Sequence, residues 1–289
     1  MKQILSSMDD LTEVSNIAQI INASIISFEI KNFTESEKLI ELSQIPEKNS
    51  EIIIFKKLWP KPNDSLIELL ILLDQLVNSD IYNISLIIPF IPYLRQDRQF
   101  TPKSSVGARA IANLLSHFPI NNIYTFDPHS EAACYYFSGG VVKLNYYDYF
   151  AHKLKELKIE PENTLIIAPD LGALSRAKHF SEIFGTKYAY LKKMREGENI
   201  SIQPLSDAKK YDNIVIIDDM IDSGGTILSA IKALEAKYEK IIICISRILK
   251  ESAIIDINTK HPEVTIISPS NTELNNYEKE LIYRQLESV

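Results

Sequence analysis

From residue 213 the chain reads Asn213-Ile214-Val215-Ile216-Ile217-Asp218-Asp219-Met220-Ile221-Asp222-Ser223-Gly224-Gly225-Thr226. A β-branched apolar run ends in paired carboxylates, then a turn of carboxylate, hydroxyl, two glycines and hydroxyl. Beyond Thr226, Ile227, Ile231, Leu234 and Tyr238 recur at helical spacing. A strand, a glycine turn and a helix N-terminus aim backbone N–H groups at one point, which suits an anion. A lone Gly-Gly is most often an ordinary tight turn. The paired aspartates and the full order D-D-x-x-D-S-G-G-T make this one a candidate binding loop.

Other residues with chemical capacity also follow apolar runs. Tyr93-Leu94-Arg95-Gln96-Asp97-Arg98 comes after the run Ser85 to Phe90, where open α/β sheets place ligands. An isolated R-x-x-R is a surface ion-pair cluster; after a strand end it points to nucleotide contact. Asp127-Pro128-His129-Ser130 follows the run Asn122 to Phe126, and there a histidine beside an aspartate can meet a metal or a phosphate. Asp170 and Gly172 follow Thr164 to Ala168 and form a second candidate for phosphate and magnesium, since a hard cation takes oxygen ligands. Lys192 to Asn199 is a charged excursion, the usual signature of a solvated hairpin. Phe33-Thr34-Glu35-Ser36-Glu37 is a polar loop with one aromatic and no chemistry legible in its residues alone.

The elements that position these residues alternate. Strands are expected at Ile25 to Phe28, Glu51 to Leu58, Ser85 to Phe90, Asn122 to Phe126, Val141-Val142, Thr164 to Ala168, Lys187 to Leu191, Ile214 to Ile217, Ile241 to Ile245 and Val264 to Ile267. Helices are expected at Leu11 to Ile21, from Ser65 with a Ser65–Glu68 capping box, and at Val106 to His117, Tyr147 to Leu157, Leu174 to Phe184, Glu251 to Ile257 and Leu274 to Leu286. Such alternation predicts a largely parallel α/β architecture. The chain has 289 residues, enough for two domains, divided here as 1–145 and 146–289. A net charge of −7 argues against a nucleic-acid partner. Cys134 and Cys244 lack ligand spacing and read as buried, reduced thiols. With no apolar run near the ~20 residues that span a bilayer and no signal-peptide pattern, no membrane association is expected and the compartment is read as cytoplasmic.

Taken together, the motifs resemble the ribose-phosphate diphosphokinase family. The likeness runs from about Phe33 to Thr226 in the family's order: Phe33 to Glu37, Asn63 to Leu70, Pro89 to Arg98, Asp127 to His129, Ala168 to Gly172, Lys193-Met194-Arg195 and Asp218 to Thr226. It implies two phosphoribosyltransferase-type domains, each a mainly parallel sheet flanked by helices, with ATP on the N-terminal domain and ribose 5-phosphate on the C-terminal one.

The implied reaction moves a diphosphoryl group from ATP to the 1-hydroxyl of ribose 5-phosphate, giving phosphoribosyl diphosphate and AMP. By the resemblance, Ser223, Gly224, Gly225 and Thr226 bind the 5′-phosphate. Asp218 and Asp219 face the ribose hydroxyls, and Asp222 lies close to them. His129 and Asp170 hold Mg2+, and Arg95, Gln96 and Asp97 contact ATP. Phe33, Glu35 and Glu37 grip adenine and its ribose from a neighbouring subunit, which implies at least a dimer. Lys193 and Arg195 close over the transferring group as catalytic residues. Pro128 and Ala173 stand where the family has leucine and glycine, and Gln99 to Ser105 keeps one lysine where many bacterial members carry a basic regulatory stretch. Two other readings compete: a phosphoribosyltransferase that consumes phosphoribosyl diphosphate, and a non-catalytic relative that regulates a synthetase.

Overall fold

The computed structural model describes residues 1–33, 37–196, 199–203, 211–234, 238–269 and 273–287, with the side chains of 192–196 and 199–203 left undescribed. The described residues fall into two compact units. The first runs β1 (Lys2–Ser7), α1 (Leu11–Ile20), β2 (Ser24–Asn32), β3 (Lys38–Leu42), β4 (Glu51–Phe55), α2 (Pro62–Asn78), β5 (Ile84–Ile87), α3 (Gly107–Leu115), β6 (Ile120–Phe126), α4 (Glu131–Cys134) and β7 (Val141–Leu144). Its sheet has the order β3-β2-β1-β4-β5-β6-β7, and only the β2–β3 pair is antiparallel. Ile52, Ile53, Ile54 and Phe55 on β4 are wholly buried, as continuous apolar strands with both faces covered must be. Leu66, Leu69, Leu73 and Leu76 seat α2 on that core.

Two expectations change here. The expected capping box does not form, because α2 begins at Pro62, whose fixed φ suits a first turn. Glu68 is turned inward, and its Oε2 accepts from Lys56 Nζ at 2.7 Å. The closing helix, Asn276–Glu287, folds with the first unit and not with the second. It buries Ile282 and Leu286 and packs against α1. Lys2 Nζ donates to the Leu286 carbonyl at 2.7 Å, and Glu13 Oε2 accepts from the Leu274 N–H at 3.1 Å. Chain order alone cannot reveal such a return.

A glycine fixes the approach of β7. A Cβ built on Gly139 would lie 2.2 Å from the Ile120 carbonyl oxygen, a backbone atom with no rotamer to change. Gly139→Ala is therefore expected to destabilise the protein by about 1–3 kcal/mol, the usual cost of overpacking. Thermal unfolding measures this.

The second unit holds α5 (Tyr147–Glu156), β8 (Thr164–Ala168), α6 (Leu174–Phe184), β9 (Lys187–Tyr190), β10 (Lys192–Glu196), β11 (Asn199–Gln203), β12 (Asn213–Ile221), α7 (Gly225–Leu234), β13 (Lys240–Ile248), α8 (Glu251–Lys260) and β14 (Thr265–Ile267). Its sheet, β14-β13-β12-β8-β9, is parallel throughout. The charged excursion is an antiparallel hairpin of β10 and β11. Ile214, Val215, Ile216 and Ile217 are wholly buried. Tyr238 is not on α7, which ends at Leu234; it packs on the core from beyond residues 235–237, which are not described. Among the described residues, no helix is long and apolar enough to cross a membrane.

Candidate active site

From β8 the chain steps outward to β9, then returns to add β12 on β8's other side. The strand order thus reverses between β8 and β12, and the crevice beyond the carboxyl ends of two such strands is where open α/β sheets bind ligands. Asp170 follows β8. Its Oδ1 accepts from the Gly172 N–H at 2.9 Å and the Ala173 N–H at 3.4 Å, so the turn fixes the carboxylate's orientation.

β12 extends past the expected Ile217 and carries Asp218 and Asp219 as strand residues. Asp219 is buried, and its N–H donates to Asp218 Oδ1 at 2.9 Å. Arg176 on α6 approaches Asp218 Oδ1 to 4.0 Å. Burial first, and then the adjacent Asp219 carboxylate, push the Asp218 carboxyl up to about 8 against the opposing pull of the Arg176 guanidinium. Two carboxyl groups held so closely at a strand end offer oxygen donors of the kind that a hard divalent cation takes. Among the described residues, no cluster of three or more His, Cys, Asp or Glu side chains is gathered as a ready metal site. Acidic partners supplied by a bound substrate would be needed to complete coordination there.

After Ile221 the chain turns through Asp222, Ser223 and Gly224 into α7, which begins at Gly225. Gly224 has φ +76°, a left-handed conformation that favours glycine. The first-turn N–H groups of any helix lack intrahelical acceptors, and their partial positive charge points at the loop. Asp222 Oδ1 pairs with Lys250 Nζ at 2.8 Å.

In the first unit, Arg95, Gln96 and Asp97 follow β5, with Arg95 and Gln96 exposed. Tyr93 takes φ +65°, and the Gln96 N–H closes the turn on the Tyr93 carbonyl at 2.8 Å. A Cβ on Gly107 would come 2.6 Å from Gln96 Oε1, so the amide end of the Gln96 side chain lies against the start of α3. His129 is exposed after β6, the neighbouring parallel strand, just before Ser130 caps α4 by accepting from the Ala133 N–H at 3.2 Å. Tyr136 Oη donates to the Asp97 carbonyl at 2.8 Å and ties the two loops together. Phe33 and Glu37 are exposed at the end of the β2–β3 hairpin, where the Phe33 N–H donates to the Glu37 carbonyl at 2.9 Å; Glu35 lies outside the described residues. Lys193 and Arg195 stand on β10 opposite Ile202 and Ile200, and their side chains are outside the description.

His129 belongs to the first unit and Asp170 to the second. Cys134 and Cys244 are buried and unbridged, and burial pushes both thiols up, Cys134 to about 11, which leaves neither reactive. The sequence reading missed Arg176 and Lys250. Arg176 lies in the opening of the helix after Asp170, and Lys250 follows the strand next to β12, so parallel strand order was the signal that could have found both.

Residues 3–118 match the N-terminal domain of ribose phosphate pyrophosphokinase, and residues 146–275 match the phosphoribosyl transferase domain. Ribose-phosphate pyrophosphokinase of Thermosipho africanus is 30% identical over 262 residues, covering 90% of this chain and 83% of that protein. That of Ureaplasma parvum is 32% identical over 246 residues, covering 84% and 74%. The chain belongs to the ribose-phosphate pyrophosphokinase family. Its fold is shared with phosphoribosylpyrophosphate synthetase from Mycobacterium smegmatis, with a TM-score of 0.81 at 20% identity over 100% of this chain and 98% of that one. Family membership accounts for both halves at once, with an N-terminal domain of the kind found in pyrophosphokinases and a phosphoribosyl domain carrying the loop from Asp218 to Thr226.

Proposed function

We propose that this protein transfers the diphosphoryl group of ATP to the 1-hydroxyl of ribose 5-phosphate, giving phosphoribosyl diphosphate and AMP. The observation that carries the reading is the glycine loop after β12, beside the Asp218–Asp219 pair where the strand order reverses, in a chain whose other half matches the pyrophosphokinase N-terminal domain. A phosphoribosyltransferase would leave that N-terminal half unexplained. A purely regulatory relative would not need the loop and acid pair intact.

The amides of Ser223 to Thr226 and the hydroxyls of Ser223 and Thr226 bind the 5′-phosphate, aided by the positive end of α7. Asp218 and Asp219 orient the 2- and 3-hydroxyls, which sets the 1-hydroxyl for in-line attack on the β-phosphorus. The O1–Pβ bond forms as the bond from Pβ to the bridging oxygen breaks, AMP leaves with the electron pair, and the hydroxyl proton is released to solvent. Arg95, Gln96 and Asp97 hold ATP. Phe33, Glu35 and Glu37 grip its adenosine from a second copy of the chain, so the active form is at least a dimer. Positioning supplies much of the acceleration. Mg2+ would supply charge neutralisation on the ATP phosphates, and His129 and Asp170 are the residues proposed to hold it.

Incubation with ATP labelled at the β-phosphate, Mg2+ and ribose 5-phosphate tests the reaction. Equal yields of AMP and labelled phosphoribosyl diphosphate are expected, and absence of AMP rejects the assignment. The turn over Phe100 to Ser104 is closed by Ser104 Oγ on the Phe100 and Thr101 N–H groups, and the segment's only lysine is Lys103. Full activity without added inorganic phosphate is therefore expected. A steep phosphate requirement would show that regulation does not depend on a basic stretch there.

A further inference from the structure

We infer that Lys250 is a specificity residue for the sugar phosphate: its ammonium offsets Asp222 and adds a side-chain cation to the helix N-terminus at the 5′-phosphate loop. This rests on the reading above, in which that loop holds the phosphate of ribose 5-phosphate.

Lys250 lies between β13 and α8. The Leu249 N–H donates to the Ile221 carbonyl at 2.8 Å, so the chain leaving β13 is laced to the last residue of β12. Gly224 rests on the start of α8; a Cβ there would meet the Ala253 Cβ at 3.5 Å and the Ile257 Cδ1 at 3.6 Å. The loop therefore has a fixed floor, and Lys250 stands at its edge with Nζ 2.8 Å from Asp222 Oδ1.

The charge balance shows why a cation is needed. Asp218, Asp219 and Asp222 lie within or beside the loop, and a phosphate dianion brought next to Asp222 is repelled by it. Arg176 already faces Asp218. Lys250 neutralises Asp222, and its side chain is 62% exposed. Its flexible stem lets the ammonium turn toward a phosphate oxygen without leaving the carboxylate's neighbourhood. The contribution falls on binding of the phosphorylated sugar and not on the transferring diphosphoryl group.

Steady-state kinetics of Lys250→Met test this. The KM for ribose 5-phosphate should rise roughly tenfold, equivalent to ~1.4 kcal/mol, while kcat and the KM for ATP stay within about twofold. Lys250→Arg should recover most of the loss. Added KCl should raise the parent's KM for ribose 5-phosphate more steeply than the variant's, because screening weakens an exposed charge. An unchanged or lowered KM for ribose 5-phosphate, or an equal rise in the KM for ATP, overturns the inference. If Lys250→Met lowers the melting temperature, Lys250→Gln replaces it and the same split is read. A parent that forms no AMP speaks against the proposed reaction instead. In that case calorimetric titration of parent and variant with ribose 5-phosphate still decides the role of Lys250, and equal affinities overturn it.

Discussion

Replacing Lys193 with alanine is expected to lower turnover by about 10²–10³-fold, the usual loss when a charge-stabilising donor is removed. The KM for ribose 5-phosphate should remain within about twofold. At the ends of β8 and β12, the described cations are already engaged, Arg176 with Asp218 and Lys250 with Asp222. Negative charge developing on the transferring diphosphoryl group needs a cation from elsewhere. Lys193 and Arg195 lie two positions apart on β10 and are the proposed source. Loss of an interaction made only in the transition state lowers kcat and kcat/KM together. Stopped-assay kinetics at saturating ATP and ribose 5-phosphate give the result directly. Equal turnover in variant and parent would remove Lys193 from the chemistry, whereas a large rise in KM with kcat retained would make it a ground-state binder.

The fold was legible wherever burial on both faces left continuous apolar runs. Thr164 to Ala168 and Ile214 to Ile217 are of that kind, since a strand covered by helices on both sides has no polar face to disguise it. β3 was missed because its five residues, Lys38–Leu42, lie at the sheet's edge and alternate in exposure with charged side chains. The helix start at Pro62 was obscured by Ser65 and Glu68, which imitate a cap in one dimension while Glu68 is committed to buried Lys56. The candidate site was legible where its chemistry is contiguous, as in Asp218 to Thr226. It was not legible at Arg176 and Lys250, which reach the same place from α6 and the β13–α8 junction. Only the parallel order β13-β12-β8 brings those segments together.

Asp218 is where function and stability oppose each other, so Asp218→Asn should move them in opposite directions. With its carboxyl raised to about 8, the folded chain keeps a proton that an unfolded aspartate of ordinary pKa ~3.9 releases. Because the folded state binds more protons across that interval, the stability owed to this group falls as pH rises from about 4 to about 8. Asparagine keeps an oxygen to accept the Asp219 N–H, relieves the repulsion from Asp219 and carries no charge to desolvate. Removing a charge that burial and a like-charged neighbour disfavour is worth on the order of 1–3 kcal/mol, or roughly 2–4 °C in melting temperature for each kcal/mol. The variant should therefore melt several degrees higher than the parent at pH 8, with the gap closing toward pH 5. Its turnover should fall by about 10²-fold or more, since an amide cannot accept from two sugar hydroxyls or attract a divalent cation as a carboxylate does. Parallel thermal melts across pH separate the outcomes. A variant that melts lower than the parent at pH 8 would mean that the Arg176 contact outweighs the repulsion between the two aspartates.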